Sequence, residues 1–217
     1  MCYFQGYFFL KNNAGGYMNK LVATFIFATS FAGSASAMTY SEVKLMAKEV
    51  IQSRDFGLLD ADIKDMKKFC PRYSNLSSDE KEDFFANLIA TMAKYESDLK
   101  PQTTFKENNG NVSAGLLQIS YGSLNPIYKK NGCGDISVAK DLKDPRNNIE
   151  CGLGIISVLV KDDGFLAKNA TTGASRYWSV LRAPYTVYIK SLKKSVKLGK
   201  RDVIIKDIKK SFKSCAE

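Results

Sequence analysis

The run from Ser77 to Pro101 constrains this chain more than any other stretch. Ser77-Ser78-Asp79-Glu80 is a capping box, in which the first hydroxyl takes an orphan amide and the glutamate returns to the cap's own N–H. Behind it Phe85, Leu88, Ile89, Met92 and Glu96 recur at steps of three and four, so they share one helical stripe. Lys100-Pro101 ends the helix, because proline disfavours helical geometry in the residue before it. The stripe therefore finishes on a carboxylate. Burial penalises the charged form, so Glu96 in that position has a raised pKa and stays protonated near neutrality, as a general acid must. The alternative is a helix-end glutamate turned out to solvent.

The rest of the chain predicts a mainly α, α+β domain. Thr39-Tyr40-Ser41-Glu42 is a second capping box, opening a helix that turns Val43, Met46, Ala47 and Val50 inward until Gly57. A short helix follows from Asp60 to Phe69, before Cys70-Pro71. Residues 102–112 show β-like ends around Asn108-Asn109-Gly110, a small β-hairpin. Gly115 leads into Leu116-Leu117-Gln118-Ile119, and residues 122–134 read as loop. Asp144-Pro145 caps a long helix through Ile149, Leu153, Ile156 and Val160 to Gly164. Gly152 and Gly154 inside it cost stability unless another backbone lies close. Arg176-Tyr177-Trp178 suits stacking on sugar rings, and equally a helix buried through its aromatics. The tail from Tyr185 to Ser214 alternates apolar residues with lysines and reads as a helix packed on the domain, its charged face wet.

Residues 18–37 read as a secretory signal: Lys20, an apolar run from Leu21 to Gly33, then small residues ending at Ala37. The division expected is 1–37 as N-terminal extension and signal peptide, and 38–217 as one domain with a basic helical C-terminal tail, secreted or periplasmic. Residues 1–17 read as an extension from an upstream start codon. Four cysteines follow the cleavage position, and an even number in an exported chain predicts two disulfides. Three pairings are open; proximity favours Cys133 with Cys151, leaving Cys70 for Cys215. The leader's only charges are Lys11 and Lys20, so its removal lowers the net charge from +10 to +8, which suits a polyanionic partner. The chain has no histidine, which excludes Ser-His and Cys-His nucleophiles and His-ligated zinc.

Four segments, Glu96-Ser97-x-Leu99, Gly115-Leu116-Leu117-Gln118-Ile119, Asp144-Pro145-x-x-Asn148-Ile149-x-x-Gly152 and Arg176-Tyr177-Trp178, together resemble in order and spacing the soluble lytic transglycosylase and goose-type lysozyme group. The resemblance covers roughly Ser77 to Arg182 and implies a lysozyme-like fold, with a small β-hairpin beside an active-site groove. It implies that Glu96 is the catalytic acid and that Ser97 and the segment from Gly115 to Ile119 line the groove. It also implies that Asn148 and Ile149 begin the helix behind the site, and that Arg176, Tyr177 and Trp178 contact saccharide. Two departures stand out. Typical transglycosylases carry Ala-Tyr-Asn-x-Gly at the third motif, where Trp178 here follows Tyr177 and no glycine closes the run; the loop after Glu96 is also longer than in the simplest members.

The implied partner is the peptidoglycan glycan strand, acetylated or N-deacetylated, with no nucleic acid, no stable membrane insertion, a monomeric state and no cofactor or metal. Glu96 would protonate the bond between N-acetylmuramic acid and N-acetylglucosamine. A one-carboxylate enzyme then relies on the substrate's 2-acetamido and 6-hydroxyl groups and leaves an anhydro end. A hydrolase needs water steered by a second carboxylate, for which Glu107 and Asp98 are the candidates. Two rivals remain: a non-catalytic basic wall-binding or inhibitory protein on the same fold, and a basic membrane-disrupting protein acting through the tail.

Overall fold

The computed structural model describes residues 36–107, 109–189 and 194–216. Nearly all of the leader, including its apolar run, lies outside these residues. Six α-helices are present among them: α1 (Tyr40–Ser53), α2 (Met66–Phe69), α3 (Ser78–Ser97), α4 (Pro126–Lys130), α5 (Pro145–Asp163) and α6 (Arg201–Ser211). No helix of the described residues is long and apolar enough to cross a membrane.

Helix α3 is the spine. Both halves of its capping box form, Ser77 with the Glu80 amide and Glu80 with the Ser77 amide. Phe85, Leu88, Ile89 and Met92 are fully buried. Helix α1 packs on this spine and also against α5, turning Val43, Ala47, Val50 and Ile51 into the core, while Met46 is only partly covered. Asp144 caps α5 through the Asn147 amide, with Pro145 at the first helical position, and Gly164 closes it in a left-handed turn. Of the two glycines inside α5, Gly154 meets the close backbone its cost predicts, whereas Gly152 makes room for a side chain instead. A Cβ on Gly152 would stand 2.2 Å from Leu117 Cδ1, and one on Gly154 would stand 1.4 Å from the Asn131 carbonyl oxygen.

Beside the end of α3 lies an antiparallel sheet, β1 (Thr104–Lys106), β2 (Val112–Ala114) and β3 (Ile119–Ser120), in that spatial order. Phe105 pairs with Ser113, and Ser113 with Ser120, so these three form one row across the sheet. Ala114 and Ile119, one register step away, are buried in the core. A two-stranded ladder, β4 (Ala167–Asn169) with β5 (Thr172–Gly173), follows α5. The disulfides are Cys133–Cys151 and Cys70–Cys215, the expected pairing.

Four expectations need correction. The first helix stops at Ser53, where Arg54 becomes extended, before Gly57. The helix expected from Asp60 shrinks to Met66–Phe69, because Asp65 is buried and its carboxylate accepts the Leu166 and Ala167 amides from across the fold. Residues 122–134 contain α4, with Asn125 capping it through the Tyr128 amide. The tail is not helical throughout: β6 (Tyr185–Ile189) pairs with β7 (Lys194–Leu198) before α6. Val187, Ile189 and Val196 follow a period of two as readily as a helical one, and their β-branching favours strands.

Candidate active site

The final turn of α3 carries Glu96 into an open groove of about 680 Å3, and the way the helix ends sets its position. Asp98 and Leu99 both take left-handed backbone conformations (φ 55° and 59°), and their amides return to the Ala93 carbonyl. For residues bearing a Cβ this strain is on the order of 1 kcal/mol each. It ends the helix, and a turn through Lys100 and Thr103 then leads into the first strand at Thr104. Gln118 is the third non-glycine residue with positive φ among those described (48°), held by bonds from its Nε2 to the Gly115 and Thr103 carbonyls (2.8 and 3.1 Å). All three strained residues flank or line the groove.

Two segments supply most of the remaining lining. The row Phe105, Ser113 and Ser120 of the sheet contributes together with Glu107, and the segment from Arg176 to Ser179 joins it. Glu96 is half-buried and, among the described residues, neither hydrogen-bonded nor ion-paired; burial alone pushes its carboxyl up to about 7. Glu107 is shifted the other way. The Ser113 hydroxyl donates to its Oε1 at 2.6 Å, and this bond, with help from Ser120 and Asn109, holds the carboxyl below its ordinary value against a smaller opposing effect of burial. One cavity thus holds a carboxyl that keeps its proton and one that has lost it, the division acid–base chemistry requires.

Aromatic residues brace this arrangement. The Tyr177 hydroxyl accepts the Ser120 amide at 3.0 Å and shares a hydrogen with Ser123 Oγ at 2.9 Å; burial raises it to about 12. Trp178, 2% exposed, donates from Nε1 to the Leu117 carbonyl at 2.8 Å, and its ring centroid lies 4.5 Å from that of Tyr177. Arg176 is held by Asp162 and Asp163. Behind them Asn148, fully buried, accepts the Leu117 amide and donates to the Ala114 and Leu142 carbonyls. The base of α3 is tied from outside by Asp207 of α6, which accepts from Lys94 Nζ (2.7 Å) and the Tyr95 hydroxyl (2.9 Å).

Of the residues singled out in the sequence, Glu96, Glu107, Gln118, Arg176, Tyr177 and Trp178 meet in the groove. The others stand elsewhere. Leu116, Leu117 and Ile119 are fully buried and support the groove from beneath, since three aliphatic side chains gain more from the core than from a wet wall. Gly115 (φ 82°) is wedged against the Leu142 carbonyl and the Asn148 amide, and the buried Ser97 hydroxyl bonds back to the Ala93 carbonyl. Asp98 is exposed, paired with Lys100 at 2.8 Å, and does not line the groove. Phe105, Ser113, Ser120 and Ser123 were missed. Alternation along the hairpin gives Phe105 and Glu107 the same face, a signal within reach of the sequence, whereas Ser120 required the register of the short third strand. Among the described residues no group of three or more acidic or cysteine side chains is arranged to hold a metal ion.

The family model described as Transglycosylase SLT domain matches residues 76–178, the stretch that carries Glu96, the sheet, α5 and the Tyr177–Trp178 pair. These residues are a transglycosylase SLT domain. Among solved structures, the wild-type form 2 of DslA (Bd0314) is 29% identical, with a TM-score of 0.65 over 81% of this chain and 91% of that one. Two further structures, of DslA mutants in which a single glutamate is replaced by glutamine, superpose with TM-scores of 0.63 and 0.64 at the same identity. No curated protein sequence matches the chain. SLT domains generally cleave peptidoglycan, and the lysozyme-like α+β architecture, a helical body with a small sheet beside the groove, is the one described above.

Proposed function

We propose that this protein cleaves the glycan strand of peptidoglycan, with Glu96 as the general acid and Glu107 as the second carboxylate. The observation that carries the proposal is the state of Glu96: a carboxyl raised to about 7 by burial, without a hydrogen-bond or ion-pair partner among the described residues, lining a groove of about 680 Å3. Protonated Glu96 gives its proton to the glycosidic oxygen as the bond to the anomeric carbon breaks and positive charge spreads over the ring. Glu107, ionised in the same cavity, stabilises that charge and takes a proton from the water that then bonds to the anomeric carbon. The product is a reducing end.

The placement of Glu107 favours hydrolysis over formation of an anhydro end, because the latter route needs no second carboxylate. A spacing supports the pairing: the two glutamates replaced in the DslA mutants are eleven residues apart, as are Glu96 and Glu107. Asp98 has no part in it. The leader read at residues 18–37 and the net charge of +8 left after its removal support export to a polyanionic wall.

Purified residues 38–217 are expected to clear a suspension of wall sacculi, and Glu96→Gln to slow clearing by at least about 100-fold. Equal clearing by both proteins would remove Glu96 from the chemistry. Binding of sacculi by both without clearing by either would favour the non-catalytic wall-binding reading. Mass spectrometry of released fragments separates the two product types, since a reducing end carries one water more than an anhydro end.

A further inference from the structure

Two of the amide side chains lining the groove serve the fold itself. Gln118 Nε2 donates to the Gly115 and Thr103 carbonyls, and Asn109 Oδ1 accepts the Asn111 backbone amide at 2.9 Å. Asn111 differs. It lines the groove and is half-buried, its carboxamide makes no hydrogen bond among the described residues, and neither polar atom of that carboxamide is sealed from solvent.

Its place is fixed all the same. The Asn111 carbonyl accepts the Glu107 amide at 2.8 Å, which extends by one pair the register that sets Phe105 opposite Ser113 and Lys106 opposite Val112. Opposed residues of antiparallel strands project from the same face, and that face recurs every second residue, so Asn111 stands beside Glu107 in company with Phe105 and Ser113. Against it lies Gly122, in the short helical turn Tyr121–Ser123 that follows β3. A Cβ on Gly122 would stand 2.4 Å from Asn111 Oδ1, 2.7 Å from its Cγ and 2.9 Å from its Nδ2, so the carboxamide lies flat on the glycine. Gly122 is not one of the residues with positive φ. What it supplies is room, the other service a missing Cβ performs.

A seated carboxamide presents a donor and an acceptor side by side. Another amide matches it: Nδ2 donates to the carbonyl while Oδ1 accepts the N–H. A sugar hydroxyl, with a single oxygen, offers no such paired fit. On a wall glycan the amide carried directly on the ring is the 2-acetamido group. We propose that Asn111 is a specificity-determining residue that binds the 2-acetamido group of a sugar in the groove through paired amide hydrogen bonds, with Gly122 as its seat. This rests on the reading above only in taking the glycan strand as the groove's ligand.

The test measures binding by calorimetry in the Glu96→Gln protein, so that turnover does not intrude. The ligands are soluble glycan fragments, peptide-free or peptide-bearing, each N-acetylated or chemically N-deacetylated. Adding Asn111→Ala is expected to weaken binding of the acetylated, peptide-free fragment about 10-fold, the worth of two ordinary hydrogen bonds, and to leave the deacetylated one within twofold. Gly122→Ala keeps the carboxamide but takes its seat, and should reproduce that pattern, since the new methyl meets only the end of a side chain that can turn away. Both variants should melt within about 3 °C of the parent, because the Asn111 carboxamide bonds nothing in the fold. Equal losses for acetylated and deacetylated fragments, or no loss in either folded variant, overturn the role of Asn111. A loss confined to peptide-bearing fragments assigns the contact to a stem-peptide amide and overturns it too. Acetyl-dependent binding by a parent protein that leaves sacculi intact would sink the cleaving reading while this one stands, and failure to bind any fragment overturns both.

Discussion

Two carboxyls in one groove have their pKa values shifted in opposite directions, and the consequences can be measured. Glu107 must be ionised and Glu96 protonated, so activity should rise through a pH below the ordinary glutamate value and fall through about 7. The profile expected is a bell with its summit on the acid side of neutrality. A rate still climbing at pH 8.5 would contradict the assignment of Glu96 as the acid. Stability should report the same residue independently of activity. The native pKa of Glu96 lies above its unfolded value, so the folded state binds the extra proton and loses stability as pH rises from about 4.5 through 7. Glu96→Gln removes that loss. Partial exposure discounts the effect, leaving an expected gain of about 1–3 kcal/mol at pH 8 and none at pH 4, readable from melting curves at the two pH values.

At the scale of elements, the sheet is too small to be an independent structure, with strands of two or three residues. It is held by its surroundings: Asn148 from α5 binds the Leu117 amide between β2 and β3, and the Tyr177 hydroxyl takes the amide of Ser120. What it offers in return is a row of side chains facing the groove. Phe105, at the outer end of that row, is 62% exposed, an expensive place for an aromatic ring unless something flat covers it. Phe105→Ala is therefore expected to raise KM for glycan about 3- to 10-fold, with kcat and melting temperature nearly unchanged. A fall in kcat at constant KM would place Phe105 in the chemistry instead of on the binding face.

Across the whole molecule, the chain's end returns to support its active turn. Helix α6 packs on α3 and α2, Asp207 holds Lys94 and Tyr95 beside Glu96, and Cys70–Cys215 locks the C-terminal segment against the end of α2. That disulfide spans 145 residues, so it removes a large amount of freedom from the unfolded chain. Its loss in a Cys70→Ser, Cys215→Ser protein is expected to cost about 3–5 kcal/mol, or roughly 10 °C in melting temperature. Because Asp207 acts through α6, the same variant should also lose activity below its melting point, and a parent-like rate there would show that α6 braces the fold without bracing Glu96.

The local signals in the sequence were sufficient wherever one element satisfies itself. Both capping boxes, the Asp144-Pro145 start, the buried stripe behind Glu96 and Gly154 against a neighbouring backbone follow from contacts within three or four residues or from a cost that only close packing offsets. Tertiary structure decided the rest. The Asp60 helix gave way to a carboxylate needed by amides a hundred residues on, and the lysine-rich tail split into hairpin and helix because its apolar spacing fits both periods. The groove's polar lining was hidden for the same reason: Ser113, Ser120 and Glu107 meet only once three short strands take their register, and no period in a two-residue strand can announce which face it turns to a substrate.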